Sequence, residues 1–245
     1  MQAVLRLREL ILSGYFVPGE RIAELTVVAK LGMSRTPVRL ALTTLEHEGL
    51  LETLPGGGFM VREFSLADIA DAIELRGVLE GTAARLASER HTGAESLRPI
   101  TDAVTQLDAL LTKMDPSPAV FERYIELNDV FHAALIELAR SPILKRSIEQ
   151  AMALPFASPG SFLLTQAVSS ESWMILQLGQ DHHRSLLEAI EGREGARAEA
   201  LGREHARLAR RNLDAALKHR NQFRLIKGAA LVRADANPTE AAVKR

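Results

Sequence analysis

Apolar residues recur at helical spacing through the first fifty positions of the chain. A helix is predicted over residues 2–13, and two shorter helices joined by a turn are predicted within 24–50, ELTVVAKLGMSRTPVRLALTTLEHEGL. Gly32 suits the left-handed residue that ends the first of these two helices, and Ser34 suits the N-cap of the second. The second of these two helices contains the candidate functional side chains of this segment.

That helix has one apolar face and one polar face. At 100° per residue, four apolar side chains share one side: Val38, Ala41, Leu42 and Leu45. The other side carries two guanidiniums and two hydroxyls, from Arg35, Thr36, Arg39 and Thr43. Such a face suits the major groove of DNA, because Arg binds guanine O6 and N7 bidentately and hydroxyls reach phosphates. The alternative is an ordinary surface helix whose arginines face water.

Two short strands are predicted next, over residues 50–54 and 59–62, around a turn of Pro and three glycines. Gly57 and Gly58 at this tip have no side chains, so the backbone can approach another molecule closely. The alternative is a plain flexible hairpin.

From Ser65 onward the pattern is helical, and six helices are predicted, over residues 66–88, 94–113, 119–139, 142–153, 170–191 and 195–222. Ser65 and Asp68 resemble a capping box at the start of the first. The chain is therefore expected to be mainly α, with a first domain over 1–64 and a helical bundle over 65–227. Residues 228–245 have no periodicity and are expected to be a disordered tail.

Three helices of the second domain each turn one histidine toward their apolar side. These are His132, His183 and His205, and Asn128 lies one turn before His132 on the same side. Neutral imidazoles that converge in a bundle are natural ligands of a divalent metal. Two alternatives remain open: core histidines that only form hydrogen bonds, and a metal-dependent hydrolytic enzyme, although no carboxylate is clearly placed as its general base.

Arg76 and Glu80 project from the inward face of the first bundle helix. Arg76 is a candidate for binding a ligand carboxylate, because a guanidinium pairs with one bidentately. The alternative is a buried ion pair with Glu80, one turn on. Both roles are compatible if Glu80 orients Arg76.

The formal net charge of −1 conceals a gradient along the chain. Residues 1–62 carry seven Lys/Arg and six Asp/Glu, residues 63–192 carry ten and nineteen, and residues 193–227 carry ten and four. The first domain is therefore near neutral, which predicts modest non-specific affinity for DNA. Cysteine is absent, and no apolar run is long enough to span a membrane. These features suggest a cytoplasmic protein without membrane association.

The words GERIAELTVVAKLGMSRTPVRLALTTLEHEGL and LPGGGFMV resemble the winged helix-turn-helix of the GntR superfamily of bacterial transcription regulators. The second half is similar to the FCD effector domain of its FadR branch, through ELRGVLEGTAARLA, NDVFHAAL, HRSLLEAIEG and the EH at 204–205. The resemblance implies DNA contacts from the second helix and the hairpin tip: Ser34, Arg35, Thr36, Arg39, Thr43, Gly57 and Gly58.

The resemblance also implies an antiparallel bundle that binds a small ligand and often a metal, held by Asn128, His132, His183 and His205. Asn128 stands where Asp is commoner, so weaker metal affinity is expected. Zn²⁺ or Ni²⁺ suits the imidazoles, and Mn²⁺ is also allowed. The implied function is a homodimeric repressor that a small carboxylate effector, contacting Arg76 and Glu80, releases from a palindromic operator. An activator, or a metal-dependent hydrolase fused to a DNA-binding module, is the alternative.

Overall fold

A computed structural model describes residues 2–112, 117–154, 156–159, 170–218, 223 and 226–233. The chain divides into two compact units. The first contains described residues from 1–71, 153–155 and 227–245, and the second contains those from 72–152 and 156–226. The division falls inside a continuous helix, several residues after the domain boundary at 64/65 that the sequence predicts.

The first unit consists of three helices and a small antiparallel sheet. In chain order the elements are α1 (Gln2–Leu12), β1 (Arg21–Ile22), α2 (Glu24–Leu31), α3 (Arg35–His47), β2 (Leu51–Thr53) and β3 (Phe59–Val61). The sheet order is β1-β3-β2, with Leu51 opposite Val61 and Arg21 opposite Met60. The sequence predicted the hairpin of β2 and β3. It did not predict β1, because a two-residue strand leaves no alternating pattern.

Of the two capping residues predicted at the turn between α2 and α3, only the first has the full predicted geometry. Gly32 ends α2 in the left-handed region, at φ 63°. Ser34 is the N-cap residue of α3, but its side chain makes no capping hydrogen bond. The four apolar residues of α3 are at most 1% exposed and pack against α1 in one core. Because this face of α3 is packed in the core, the opposite face lies on the surface of this unit.

Six helices follow within the described part of the chain. They are α4 (Leu66–Arg90), α5 (Ala94–Leu111), α6 (Pro118–Leu138), α7 (Pro142–Met152), α8 (Ser170–Glu191) and α9 (Gly195–Lys218). The predicted end of the last helix, residues 219–222, lies outside the described residues. The capping box is present: Asp68 N–H donates to Ser65 Oγ, and Ser65 N–H donates to Asp68 Oδ2. The predicted fold class, a winged helix-turn-helix followed by a helical bundle, is confirmed.

Glycines let α4 and α9 approach each other closely. A Cβ atom on Gly202 of α9 would lie 2.9 Å from Cα of Gly81 on α4. Five residues before Gly81, the Arg76 side chain consequently reaches the main chain of α9 and donates to Ala206 O over 3.3 Å. The contact places the buried charges of α4 beside the histidine of α9.

The expectation of a disordered tail from Gly228 onward does not hold for its first six residues. Ala229–Leu231 form a 3₁₀ turn, and Leu231 is fully buried. Val232 forms an isolated parallel bridge with Phe64. The segment lacks periodicity because its apolar residues pack on a distant part of the chain, not on a helix or strand of their own. Residues 234–245 of the predicted tail lie outside the described residues.

None of the described helices is long and apolar enough to cross a lipid bilayer.

Candidate functional site

The polar face of α3 is exposed along its length. Arg35, Thr36, Arg39 and Thr43 are all exposed, as is Ser34 just before the helix. The Arg39 side chain is 76% exposed, and its Nε atom lies 3.5 Å from Glu24 Oε2 on α2. A pair this exposed restrains Arg39 only weakly. Both guanidiniums are therefore accessible from solvent.

Leu40 is a residue of this face that the sequence analysis missed. It is 63% exposed although it is apolar. An apolar side chain on a helix in the major groove can contact the methyl group of thymine. The signal was present in the sequence, as one apolar residue among polar neighbours.

The tip of the β2–β3 hairpin is held by a side chain from β1. Gly57 and Gly58 are exposed and have positive φ angles of 82° and 90°. Arg21 donates from its Nη2 atom to Gly57 O over 3.1 Å. The hairpin tip is thus braced, and a guanidinium lies beside it. The contribution of Arg21 had no local sequence signal, because it depends on the pairing of β1 with β3.

In the second unit, the three inward histidines meet. His132 of α6, His183 of α8 and His205 of α9 are each at most 8% exposed. The Nε2 atom of His205 lies 3.2 Å from Nε2 of His183 and 3.3 Å from Nε2 of His132. Burial and the neighbouring imidazoles hold the pKa values of His183 and His205 well below their ordinary value. Both are therefore neutral near pH 7.

A glutamine fixes the hydrogen position on His183. The amide nitrogen of Gln180 donates to Val104 O over 3.1 Å and to Asp108 Oδ1 over 2.6 Å. Its oxygen consequently faces His183 and accepts the hydrogen of Nδ1 over 3.0 Å. The Nε2 atom of His183 then presents a lone pair to the other histidines. Gln180 was missed, although it lies three residues before His183 on the same helix face.

Glu80 lies beside His132. Its Oε1 atom is 3.1 Å from Nδ1 of His132, but the two atoms do not form a hydrogen bond of good geometry. Burial alone would raise the pKa of Glu80, but the charges of His132 and Arg76 hold that pKa at about 2. Where His132 is neutral, the ionised Glu80 favours its hydrogen on Nδ1, which leaves the Nε2 lone pair facing His205.

Two of the three Nε2 atoms therefore carry lone pairs directed at the third. Such a cluster needs an electropositive atom between the lone pairs, which either the hydrogen on Nε2 of a neutral His205 or a bound cation would supply. Around a metal with 2.0–2.1 Å bonds to nitrogen, neighbouring ligand atoms are about 3.3 Å apart in a tetrahedral site and about 2.9 Å apart in an octahedral one. The separations of 3.2 and 3.3 Å from His205 Nε2 to the other two Nε2 atoms are of this size.

Asn128 lies on the same side of α6 as His132 and is 3% exposed. Its Nδ2 atom has no hydrogen-bond partner among the described residues. With Arg76, Tyr124 and His205 it lines a cavity of about 30 Å³. A volume of this size holds one or two water molecules.

The Arg76 guanidinium donates two hydrogen bonds to main-chain oxygens. Its Nη1 atom donates to Ala157 O over 2.8 Å, in addition to the bond to Ala206. Its Nε atom lies 3.6 Å from Glu80 Oε2, so the buried ion pair is present. The guanidinium also lines the cavity, which keeps the two roles from the sequence analysis compatible.

Both parts of the chain match known protein families. Residues 1–61 match the model of "Bacterial regulatory proteins, gntR family", and residues 71–208 match the FCD domain. The Nta operon transcriptional regulator of Aminobacter aminovorans is 35% identical over 137 residues, which cover 56% of this chain and 61% of the relative. A probable D-xylose utilization operon transcriptional repressor of Paenarthrobacter nicotinovorans is 27% identical over 182 residues, 74% of each protein.

The structure of E. coli McbR/YncC is similar in fold, with a TM-score of 0.59, 24% identity, and coverage of 90% of this chain and 97% of that one. The FCD match spans more than half of the 245 residues and contains all three histidines. The chain therefore belongs to the GntR family of bacterial regulatory proteins and carries an FCD domain.

Proposed function

We propose that this chain is a ligand-responsive transcription regulator, whose α3 and β2–β3 hairpin bind an operator and whose histidine cluster binds a metal and a small organic acid. Family membership supports the DNA-binding half. The ligand-binding half rests on one observation, the convergence of three buried Nε2 atoms. A regulator of this kind acts where the genome is, so the proposed location is the cytoplasm.

For the DNA half, we propose a homodimer with two-fold symmetry that presents two copies of α3 to a palindromic operator. DNA fragments selected from genomic DNA with the purified protein supply the probe. Arg35→Ala and Arg39→Ala should each weaken binding by about 1–3 kcal/mol where the side chain contacts a base. A phosphate contact would instead weaken binding to all sequences alike and reduce the salt dependence.

The matched control is Arg98→Ala, which removes an exposed guanidinium from α5 in the other unit. It should leave binding unchanged. Unchanged binding by both α3 variants would contradict the proposed docking, and a monomer at the concentrations that bind DNA would contradict the palindrome.

For the metal, we propose a divalent ion held by His132, His183 and His205, with Asn128 as the fourth residue. The imidazole nitrogens favour Zn²⁺ or Ni²⁺, and Mn²⁺ is also allowed. The ion would supply open positions for an anionic ligand. Its presence can be measured by metal analysis of protein purified without a His tag.

His183→Ala should abolish binding of the metal, because two imidazoles hold a divalent ion far less tightly than three. The control is His47→Ala, which removes an exposed imidazole at the end of α3. Absence of metal from the unaltered protein, together with no uptake of added Zn²⁺, Ni²⁺ or Mn²⁺, would favour a purely hydrogen-bonded histidine trio.

For the effector, we propose a small organic acid whose carboxylate binds the metal and lies beside Asn128, Arg76 and Glu80. The cavity of about 30 Å³ is too small for such a molecule, so binding requires its walls to move. Thermal shifts with a panel of sugar acids and dicarboxylates, with and without metal, test this class. A response that is the same without metal would contradict a metal-bound carboxylate.

We further propose that the acid releases DNA, so the protein is a repressor; a relative described as a repressor supports this direction. Tighter DNA binding with the acid would indicate an activator. Turnover of ester, lactone or phosphate substrates that His132→Ala abolishes would show an enzymatic role. Glu80 is a poor general base for one, because it is buried and held ionised between Arg76 and His132.

A further inference from the structure

The chain returns to the first unit after the last helix of the bundle. Lys227–Arg233, here called the C-terminal clasp, belongs to the same unit as α1 and α3. Leu231 is 0% exposed and lies in the core cluster that also contains Leu7 and Ile11 of α1. A residue more than 160 positions beyond the sheet of this unit thus completes its core.

Main-chain hydrogen bonds hold the clasp at both ends. Gly228 N–H donates to Leu12 O over 3.1 Å. Phe64 N–H donates to Leu231 O over 2.9 Å, and Arg233 N–H donates to Phe64 O over 2.8 Å. These bonds need no particular side chain on the clasp, which explains why they leave no sequence motif. They fix the register that directs Leu231 inward.

The end of α1 has a shape that admits the clasp. Gly14 has φ of 78°, and a Cβ atom there would lie 2.9 Å from Cβ of Ala230. Gly19 has almost the same backbone angle, 76°, with nothing within 4 Å of its Cβ position. Gly14 is therefore required twice, for its backbone angle and for the approach of the clasp, whereas Gly19 is required only for its angle.

We propose that the clasp is an integral part of the DNA-binding unit, and that the surface formed by the end of α1 and Phe64 is a docking site for this segment. The unit is then joined to the bundle twice, through α4 and through residues 219–226 that follow α9. Because α9 carries His205, the second connection links the histidine cluster to the core on which α3 packs. Residues 1–71 alone are not a complete DNA-binding module.

The first test compares two truncated chains by amide hydrogen exchange. Ending the chain after Ile226 removes the clasp, and ending it after Arg233 retains the clasp and removes only 234–245. The first truncation should speed exchange of the protected α1 and α3 amides about 30-fold or more, as expected for loss of a core leucine. The second truncation should leave exchange unchanged, and α6 amides should not change in either chain.

Unaltered α1 and α3 exchange after the first truncation would overturn the proposal. Leu231→Ala, with the exposed Arg233→Ala as its control, gives the same comparison in a full-length chain if the truncated one fails to fold. None of these measurements uses DNA, so their result is independent of whether the protein binds an operator.

The second test uses the two glycines. In the full chain, Gly14→Ala should speed α1 exchange about tenfold more than Gly19→Ala, because only the first displaces Ala230. In the chain ending after Ile226 the two substitutions should have equal effects, since only the backbone angle remains to be strained. Equal effects already in the full chain would show that the clasp does not dock there.

Discussion

The Arg76–Glu80 pair in the middle of α4 permits a quantitative test of what holds the bundle together. The side chains are 2% and 1% exposed, and their charged atoms are 3.6 Å apart. At an effective dielectric constant of about 20, two charges at this distance attract by about 5 kcal/mol. The cost of removing both from water offsets much of that attraction, so the pair as a whole contributes little net stability. Removing only one of the two side chains is costly, because it leaves the other charge buried and unpaired.

Glu80→Gln keeps the shape of the side chain and removes its charge. Arg76 is then a buried cation without a counter-charge, which should lower the free energy of unfolding by about 3–5 kcal/mol. Arg76→Met should cost about as much, because Glu80 is left buried with only His132 nearby. The double variant should cost less than either single one, because no charge remains uncompensated. The expected coupling between the two sites is therefore at least about 3 kcal/mol.

Urea unfolding of the metal-free protein measures all four free energies, provided the slope against denaturant is the same in each. The control is the exposed pair Arg123–Glu126 on α6, 2.7 Å apart, whose coupling should stay below about 1 kcal/mol. If the Arg76 and Glu80 effects add to within about 0.5 kcal/mol, the two charges do not depend on each other. The explanation of the low pKa of Glu80 would then fail as well.

Two further predictions concern the histidines. Gln180→Leu should weaken metal binding about 10–100-fold in competition with a chelating dye, because His183 loses the partner that fixes its hydrogen; the exposed Gln106→Leu should not. Metal-free protein should lose stability as the pH falls below about 6.5. The folded-state pKa values of His183 and His205 are depressed, so the unfolded chain takes up protons first, and each residue contributes up to about 1.4 kcal/mol per pH unit. A urea profile that is flat from pH 7.5 to 5 would refute this.

Much of the site could be predicted from the sequence because it lies on long amphipathic helices. On α6, α8 and α9 the helical period alone determines which side chains face inward, and it placed His132, His183 and His205 there. The structure has all three buried and adjacent. The exposed arginines of α3 followed from the same argument, because four apolar residues already occupied the opposite face.

Features that depend on pairing between distant segments could not be predicted. The Asp108–Gln180 contact joins α5 to α8, and Arg21 reaches the hairpin only through the sheet. The clasp has no periodicity and is held by main-chain hydrogen bonds. In each case the partner's identity is set by tertiary structure, which no local pattern encodes.

Asn128 carries no charge, and this has a consequence for how the proposed metal and acid depend on each other. With His132 neutral, the buried groups around the cavity sum to no net charge, since Arg76 offsets Glu80, His183 and His205 are neutral, and burial raises the pKa of Tyr124. A divalent ion bound there brings two positive charges into a buried site, where an uncompensated charge is costly.

A bound carboxylate removes part of that cost, so the acid should raise metal affinity, and by linkage the metal should raise acid affinity by the same factor. Asn128→Asp supplies a fixed negative charge instead. It should raise metal affinity in the absence of acid and reduce the gain in metal affinity that the acid gives. Titrations of Zn²⁺ into both proteins, with and without a responsive acid, measure the two factors. An equal gain in the Asp variant would mean that charge compensation at position 128 does not control the coupling.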